Sequence, residues 1–166
     1  MFSIKSILSE NINLNQIENL ISPQTAIFLF SSDNDLHQLL AASILQKQQF
    51  ILIGNKQYYD MKVFMNYDIN KIISLGIDEL SDILMEYGRQ FQQLIILINL
   101  NVLDICYSPT SQNKTAGGLS TKELFYILSR LQIIKNQKII YVYNYDLKKD
   151  QQEITAKLLE RFSILN

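Results

Sequence analysis

Several residue types on which other kinds of protein depend are scarce in this sequence. The single cysteine, Cys106, excludes an internal disulfide framework and a zinc site built from cysteines. The single histidine, His37, excludes a histidine-rich metal centre. The longest apolar runs, residues 94–98 among them, are too short to span a bilayer. Residues 1–10 contain no apolar core of signal-peptide length and no small-residue cleavage site.

The charges are almost balanced, with 15 basic and 16 acidic side chains and a net charge of -1. That balance gives no electrostatic footprint for nucleic acid or for an anionic membrane. A chain of 166 residues, 48% of them hydrophobic, is sufficient for one domain around one core. We therefore expect residues 1–166 to form a single cytoplasmic domain that binds neither nucleic acid nor membrane.

Short apolar runs alternate with segments of helical periodicity, which is typical of βα units around a largely parallel sheet. The run at 94–98 is apolar on both faces, so it predicts a central strand. The predicted strands are residues 26–30, 50–53, 71–75, 94–98 and 138–143.

Helix starts can be identified from capping residues. Ser120 and Glu123 form an S-x-x-E capping box ahead of a helical pattern. Asp78 is predicted to cap a second helix that ends near Gly88, and Asp150 with Glu153 a third. A further helix is predicted after the first strand, over residues 36–44, and residues 1–22 are predicted to form a polar helical extension.

Ligands of a parallel α/β sheet bind at the carboxyl ends of its strands. This rule selects three loops that contain polar side chains, namely residues 31–35, 99–104 and 144–146.

One of these loops carries a family resemblance. Residues 99–119, NLNVLDICYSPTSQNKTAGGL, are similar without a gap to the segment D-x-D-V-L-D-P-x-x-x-P-G-T-G-T-P-x-P-G-G-L of the ureohydrolases, the arginases, agmatinases and formimidoylglutamases. Residues 30–36 fit the length and position of the metal motif F-D-A-H-x-D-L in that family, and residues 150–156 resemble its D-x-x-E-I-T-A. The resemblance covers about residues 26–166. It implies an arginase-like three-layer α/β/α sandwich with a mostly parallel sheet that lacks the N-terminal part of the family fold.

The resemblance also implies where a metal site would lie. Family enzymes hold a pair of Mn²⁺ ions with aspartates and histidines, and a bridging hydroxide attacks the guanidinium or formimino carbon. The ligand positions fall on Ser31, Asp33, Asp35, Asn99 and Asn101, and the glutamate that meets the substrate cation falls on Asn144. Of the first three, only Asp35 keeps the family's ligand type.

Neutral amides are poor ligands for Mn²⁺, because little charge offsets the dehydration of the ion. Conversely, clustered carboxylates without a cation repel one another, and a near-isosteric change from Asp to Asn removes that cost. We therefore predict no metal, no cofactor and no catalytic residue. A weak single divalent ion at Asp33 and Asp35 is the alternative to Asp33 acting as a helix cap.

Other distinctive residues favour structural roles. No histidine is placed to activate Cys106, which is predicted to be a free structural thiol. Gly117 and Gly118 do not belong to a phosphate loop and are predicted to shape the backbone before the capped helix. Three tyrosines that alternate along the last strand and its exit are predicted to pack across strands, with an aromatic interaction surface as the alternative: Tyr141, Tyr143 and Tyr145.

The function predicted from these features is that of an inactive arginase-like protein that acts by binding, as a scaffold or as a subunit of an assembly. One alternative is a hydrolase of an amidine or amide substrate with a single ion at Asp33 and Asp35, and another is a ligand sensor. The part of the family fold missing from this resemblance would flank the sheet. We expect residues 1–22 to cover part of that edge, and a second copy or another protein to cover the rest.

Overall fold

The computed structural model describes residues 4–32, 49–56, 65–111 and 116–164. Asp33, Asp35, His37 and the helix predicted for 36–44 lie outside these residues.

The described strands form one six-stranded sheet in which every neighbouring pair is parallel. In chain order they are β1 (Ile4–Leu8), β2 (Thr25–Phe30), β3 (Phe50–Ile53), β4 (Met65–Tyr67), β5 (Gln93–Asn99) and β6 (Gln137–Tyr143). Their order across the sheet is β1-β6-β5-β2-β3-β4. The prediction that residues 94–98 form a central strand is confirmed, because β5 is paired on both sides, by β2 and by β6.

Helices lie on both faces of the sheet and bury its alternating side chains. In the described part of the chain the α-helices are α1 (Leu14–Glu18), α2 (Ile69–Leu75), α3 (Ile77–Gly88), α4 (Thr121–Gln132) and α5 (Ile154–Ser163). Phe28, Phe30 and Ile96 face the core formed with α2 to α5. Ile27 and Leu97 face the core on the side of α1. None of the described helices is long and apolar enough to cross a bilayer.

The prediction of a helical segment over residues 1–22 is wrong at its start, where the structure has strand β1. Ile4–Leu8 pairs along its length with β6, and Ser9 N also donates to Val142 O at 3.0 Å. The edge of β6 satisfies the backbone of this segment, and such tertiary pairing overrides a weak helical pattern. Helix α1 begins later, where the Asn13 side chain accepts from Gln16 N at 3.4 Å.

The prediction of a strand over residues 71–75 is also wrong, because this segment is helix α2. Asp68 caps it by accepting from Lys71 N at 2.9 Å. Ile72 is buried while Ile73 is 73% exposed, so only one face of the apolar run reaches the core. The strand at this point of the chain is β4, which precedes the helix.

The predicted helix caps have different outcomes. The capping box is confirmed: Glu123 N donates to Ser120 Oγ at 3.2 Å, and Ser120 N to Glu123 Oε2 at 2.7 Å. Asp78 is not a cap but lies in the first turn of α3, whose N-cap is Gly76. At α5 the N-cap is Glu153, whose side chain makes no capping hydrogen bond, while Asp150 Oδ2 accepts from Ala156 N at 2.7 Å.

Lys138 at the start of β6 is buried, with 2% of its surface exposed. Its ammonium donates to Ile134 O at 2.6 Å and to Asn136 O at 3.2 Å, in the connection that leads from α4 into β6. Burial lowers the pKa of Lys138 below its usual value, because the charged form loses hydration.

This burial predicts a pH dependence of stability. Since the pKa of Lys138 is lower in the folded than in the unfolded chain, the unfolded chain binds more protons in the interval between the two values. The free energy of unfolding should therefore rise with pH up to about 10.4, the pKa in the unfolded chain. Urea titrations between pH 7.5 and 9.5 should show a steeper rise for the wild type than for Lys138→Met. If the free energy of unfolding rose equally steeply with pH in both proteins, the burial of Lys138 would not be the cause of the rise.

Candidate functional site

The chain reverses its direction across the sheet between β2 and β5. From β2 it continues to β3 and β4 on one side, whereas β5 is followed by β6 on the other. Ligands of open α/β sheets bind at the carboxyl ends of the strands at such a switch point. Ser31 and Ser32 follow β2 there, and Asn99 and Asn101 stand at the end of β5. All four are buried, with at most 5% of their surface exposed.

Three asparagine side chains link the strand ends at this point. Asn99 Oδ1 accepts two hydrogen bonds, from Asn101 N at 3.1 Å and from Asn144 Nδ2 at 2.7 Å. Asn101 Oδ1 accepts from Ser32 N at 3.2 Å. We call Asn99, Asn101, Asn144 and the Ser32 N–H the amide network. It connects the residues that follow β2, β5 and β6.

Two further contacts extend this arrangement toward the outer strands. Lys56, which follows β3, donates from Nζ to Asn101 O at 3.2 Å and to Leu103 O at 3.5 Å. On the other side, Asn144 N donates to Glu10 O, beyond β1, at 3.1 Å. Asn144 has a φ of 65°, a left-handed conformation in which asparagine is enriched among non-glycine residues.

The described donor set does not fit a pair of Mn²⁺ ions. A carbonyl-type oxygen has two lone pairs, and both lone pairs of Asn99 Oδ1 are engaged by N–H donors. Asn101 Oδ1 also accepts a protein N–H, and Ser31 contributes only a neutral hydroxyl. Within the described ranges, no three His, Cys, Asp or Glu side chains are grouped to hold a metal ion. No hydrolytic step through a metal is therefore derived from these residues.

The loop that follows β5 is fastened by Asp104. Its Oδ1 accepts from Cys106 N at 3.0 Å, and its Oδ2 accepts from Gly117 N at 2.7 Å. The hydrogen bonds from these two backbone N–H groups, with a smaller contribution from the charge of Lys56, hold the pKa of Asp104 below its usual value. The Asp104 carboxylate thus links its own loop to Gly117, 13 residues further along the chain.

The two glycines shape the backbone before α4, as predicted. Gly117 has a φ of 81°. Gly118 lies against the segment that follows β5, where a Cβ would be 2.4 Å from the Leu103 carbonyl carbon. This contact leaves room only for glycine, and Leu119 N then reaches Val102 O at 2.9 Å.

The solvent exposure of the side chains decides the predictions for the cysteine and the three tyrosines. Cys106 is a free, exposed thiol. Tyr141, Tyr143 and Tyr145 are 3 to 6% exposed, so they pack inside and the alternative of an aromatic surface is wrong. Sequence reasoning missed Lys56, because it selected loops after three strands and not the loop after β3. The rule about carboxyl ends applied equally to β3, and Gly54-Asn55-Lys56 was the available signal.

Comparison with known proteins places the fold. The sequence matches no known family profile and no curated protein. Solved structures do match. Proclavaminate amidino hydrolase from Streptomyces clavuligerus has a TM-score of 0.77 and 14% identity over 98% of this chain and 62% of its own. Formimidoylglutamase from Bacillus subtilis has a TM-score of 0.75 and 17% identity over 86% of this chain and 52% of its own. Entamoeba histolytica arginase, in complex with L-ornithine, has a TM-score of 0.80 and 12% identity over 99% of this chain and 69% of its own.

The arginase-like fold that the resemblance implied is therefore confirmed. This chain spans 52 to 69% of the length of the three matched structures. At 12 to 17% identity, the likeness establishes the fold and leaves the activity to be argued from the site.

The Asp104 contacts predict an acid-sensitive loop. Because the pKa of Asp104 is lower in the folded chain, its contribution to stability is present above the unfolded value of about 3.9 and is lost as pH falls through the folded value. Asp104→Asn should have a lower free energy of unfolding than the wild type at pH 7. Between pH 5 and 2, that free energy should fall less steeply in the variant than in the wild type. Denaturant titration across that range measures both, with Glu79→Gln, at an exposed position of α3, as the control. If Asp104→Asn kept the wild-type acid profile, the carboxylate would not be fastening the loop.

Proposed function

We propose that this chain, which has an arginase-like fold, is a catalytically inactive protein that acts by binding a protein partner, as a scaffold or as a subunit of an assembly. The observation that carries the proposal is the double hydrogen bond to Asn99 Oδ1 at the position of a metal ligand in the family. An oxygen that accepts from two protein N–H groups has no lone pair left for a cation.

The electrostatics of the switch point support the same reading. Asn99 and Asn101 are 0 and 1% exposed, so carboxylates there would be desolvated and close together without a cation between them. Such pairs carry a large cost, which amides avoid. The enzymes' mechanism needs cations to lower the pKa of a bound water, and the neutral side chains of Ser31, Asn99 and Asn101 attract cations poorly.

A role in binding is supported by the edges of the sheet. Strands β1 and β4 stand at the two ends of the strand order and each pairs with a single described strand. Edge strands present backbone N–H and C=O groups that can pair with another chain. We propose that a second copy or a different protein covers an edge. Light scattering at tens of micromolar tests self-association, and co-purification from the native host tests for a different partner.

The proposal of inactivity is tested by assaying the purified chain with Mn²⁺ for release of urea from a guanidinium substrate and of formamide from a formimino substrate. Suitable substrates are arginine, agmatine and formimidoylglutamate, which represent guanidinium and formimino chemistry. We expect no turnover above buffer and no stoichiometric Mn²⁺ by elemental analysis. Turnover would overturn the proposal and favour a hydrolase with an altered ion site. Ligand binding that stabilises the chain without turnover would favour a sensor.

Restoring one charge gives a sharper prediction. Asn99→Asp puts a carboxylate in a buried position, which should raise the pKa of the new carboxyl and cost about 1–3 kcal/mol of stability at pH 7 in EDTA. The cost should shrink as the pH approaches 4, because the protonated carboxyl is neutral. Asn70→Asp makes the same change on an exposed side chain and should cost little. Equal costs for the two variants would show that position 99 tolerates charge without a cation.

A further inference from the structure

We infer that the amide network fastens the carboxyl ends of β2, β5 and β6 to one another in place of cations, so that this part of the fold is held by hydrogen bonds and needs no divalent metal. The inference rests on the proposed function only in taking the chain to work without a catalytic metal.

The bonds of the network join parts of the chain that are distant in sequence. Asn144 Nδ2 reaches Asn99 Oδ1 across 45 residues, from the exit of β6 to the end of β5. Ser32 N reaches Asn101 Oδ1 across 69 residues, from the exit of β2 to the turn after β5. The bond from Asn101 N to Asn99 Oδ1 connects these two cross-links. The network is therefore continuous over three neighbouring strand ends.

The chemistry of amides explains how the strand ends are joined without an ion. A carboxylate only accepts hydrogen bonds, so facing carboxylates need a cation or a proton between them. An amide carries both a donor and an acceptor. Here the Asn144 NH₂ group supplies the donor and the Asn99 carbonyl supplies the acceptor, at 2.7 Å. The strand ends are therefore linked by side chains of the protein itself and not by a bound ion.

Because its side chains are buried, the amide network should contribute to the stability of the fold. Asn99 and Asn101 are almost completely buried, and a hydrogen bond is electrostatically stronger in such surroundings than in water. A buried donor or acceptor that loses its partner also loses hydration without compensation. Lys56 adds to the arrangement by holding Asn101 O and Leu103 O, which ties the turn after β5 to the residues after β3.

A double-mutant cycle on Asn99 and Asn144, measured by urea denaturation in EDTA, tests the cross-link. Asn99→Ala and Asn144→Ala should each lower stability, and the double variant should lose less than the sum. We expect a coupling of about tenfold in the folding equilibrium constant, as for a buried hydrogen bond. The control cycle pairs Asn144→Ala with Asn136→Ala. Asn136 is a buried asparagine at the amino end of β6 whose side chain donates to Gly88 O, and its cycle should be additive.

Additive losses in the Asn99–Asn144 cycle would overturn the inference. Should Asn99→Ala fail to fold, hydrogen exchange in the wild type decides the question. The Ser32 and Asn101 N–H groups should be protected in EDTA, and their protection should not change with Mn²⁺. Protection that appears only with Mn²⁺ would mean that an ion, and not the amides, holds these strand ends.

This experiment can fail separately from the proposed function. Turnover by the wild type would overturn the claim of inactivity and would leave the measured coupling between Asn99 and Asn144 as it is. Conversely, additive stability losses in the Asn99–Asn144 cycle would contradict the structural role of the network but would not bear on whether the chain is inactive.

Discussion

A parallel sheet brings polar groups together at the buried carboxyl ends of its strands. These groups need hydrogen-bond partners and cannot carry uncompensated charge, and the centre of this molecule depends on how the partners are supplied. Strands β2, β5 and β6 end side by side, and their exits carry Ser32, Asn99 and Asn144. Each of these groups would be costly if buried without a partner. The amide network satisfies them with donors and acceptors that the chain itself provides.

The surrounding loops keep the strand ends in this arrangement. Asp104 holds the loop after β5 by accepting from two backbone N–H groups, and Gly118 lets the chain before α4 pack closely against residues 102–104. The capping box at Ser120 then starts α4, which buries Leu124 and Leu128 against the sheet.

The fold and the donor set lead to different conclusions about function. The likeness to amidino hydrolase, formimidoylglutamase and arginase structures is a likeness of architecture at 12 to 17% identity. A fold can host many chemistries, so activity has to be argued from the side chains at the site. The described positions hold a hydroxyl and amides, and both lone pairs of Asn99 Oδ1 are engaged by protein N–H groups. We therefore propose binding and not hydrolysis.

The sequence by itself determined what depends on local pattern. Apolar runs fixed the central strand at 94–98, a capping box fixed the start of α4, and the polar residues after the strands marked Asn99, Asn101 and Asn144 as one site. Only the tertiary structure decided which segments would be strands at the edges, because β1 is a strand through its pairing with β6 and not through its own pattern. The tertiary structure also decided that Asn144 donates to Asn99 and that Lys56 joins the turn after β5. Hydrogen bonds between residues 45 apart depend on strand register and side-chain direction, which no local signal in the chain specifies.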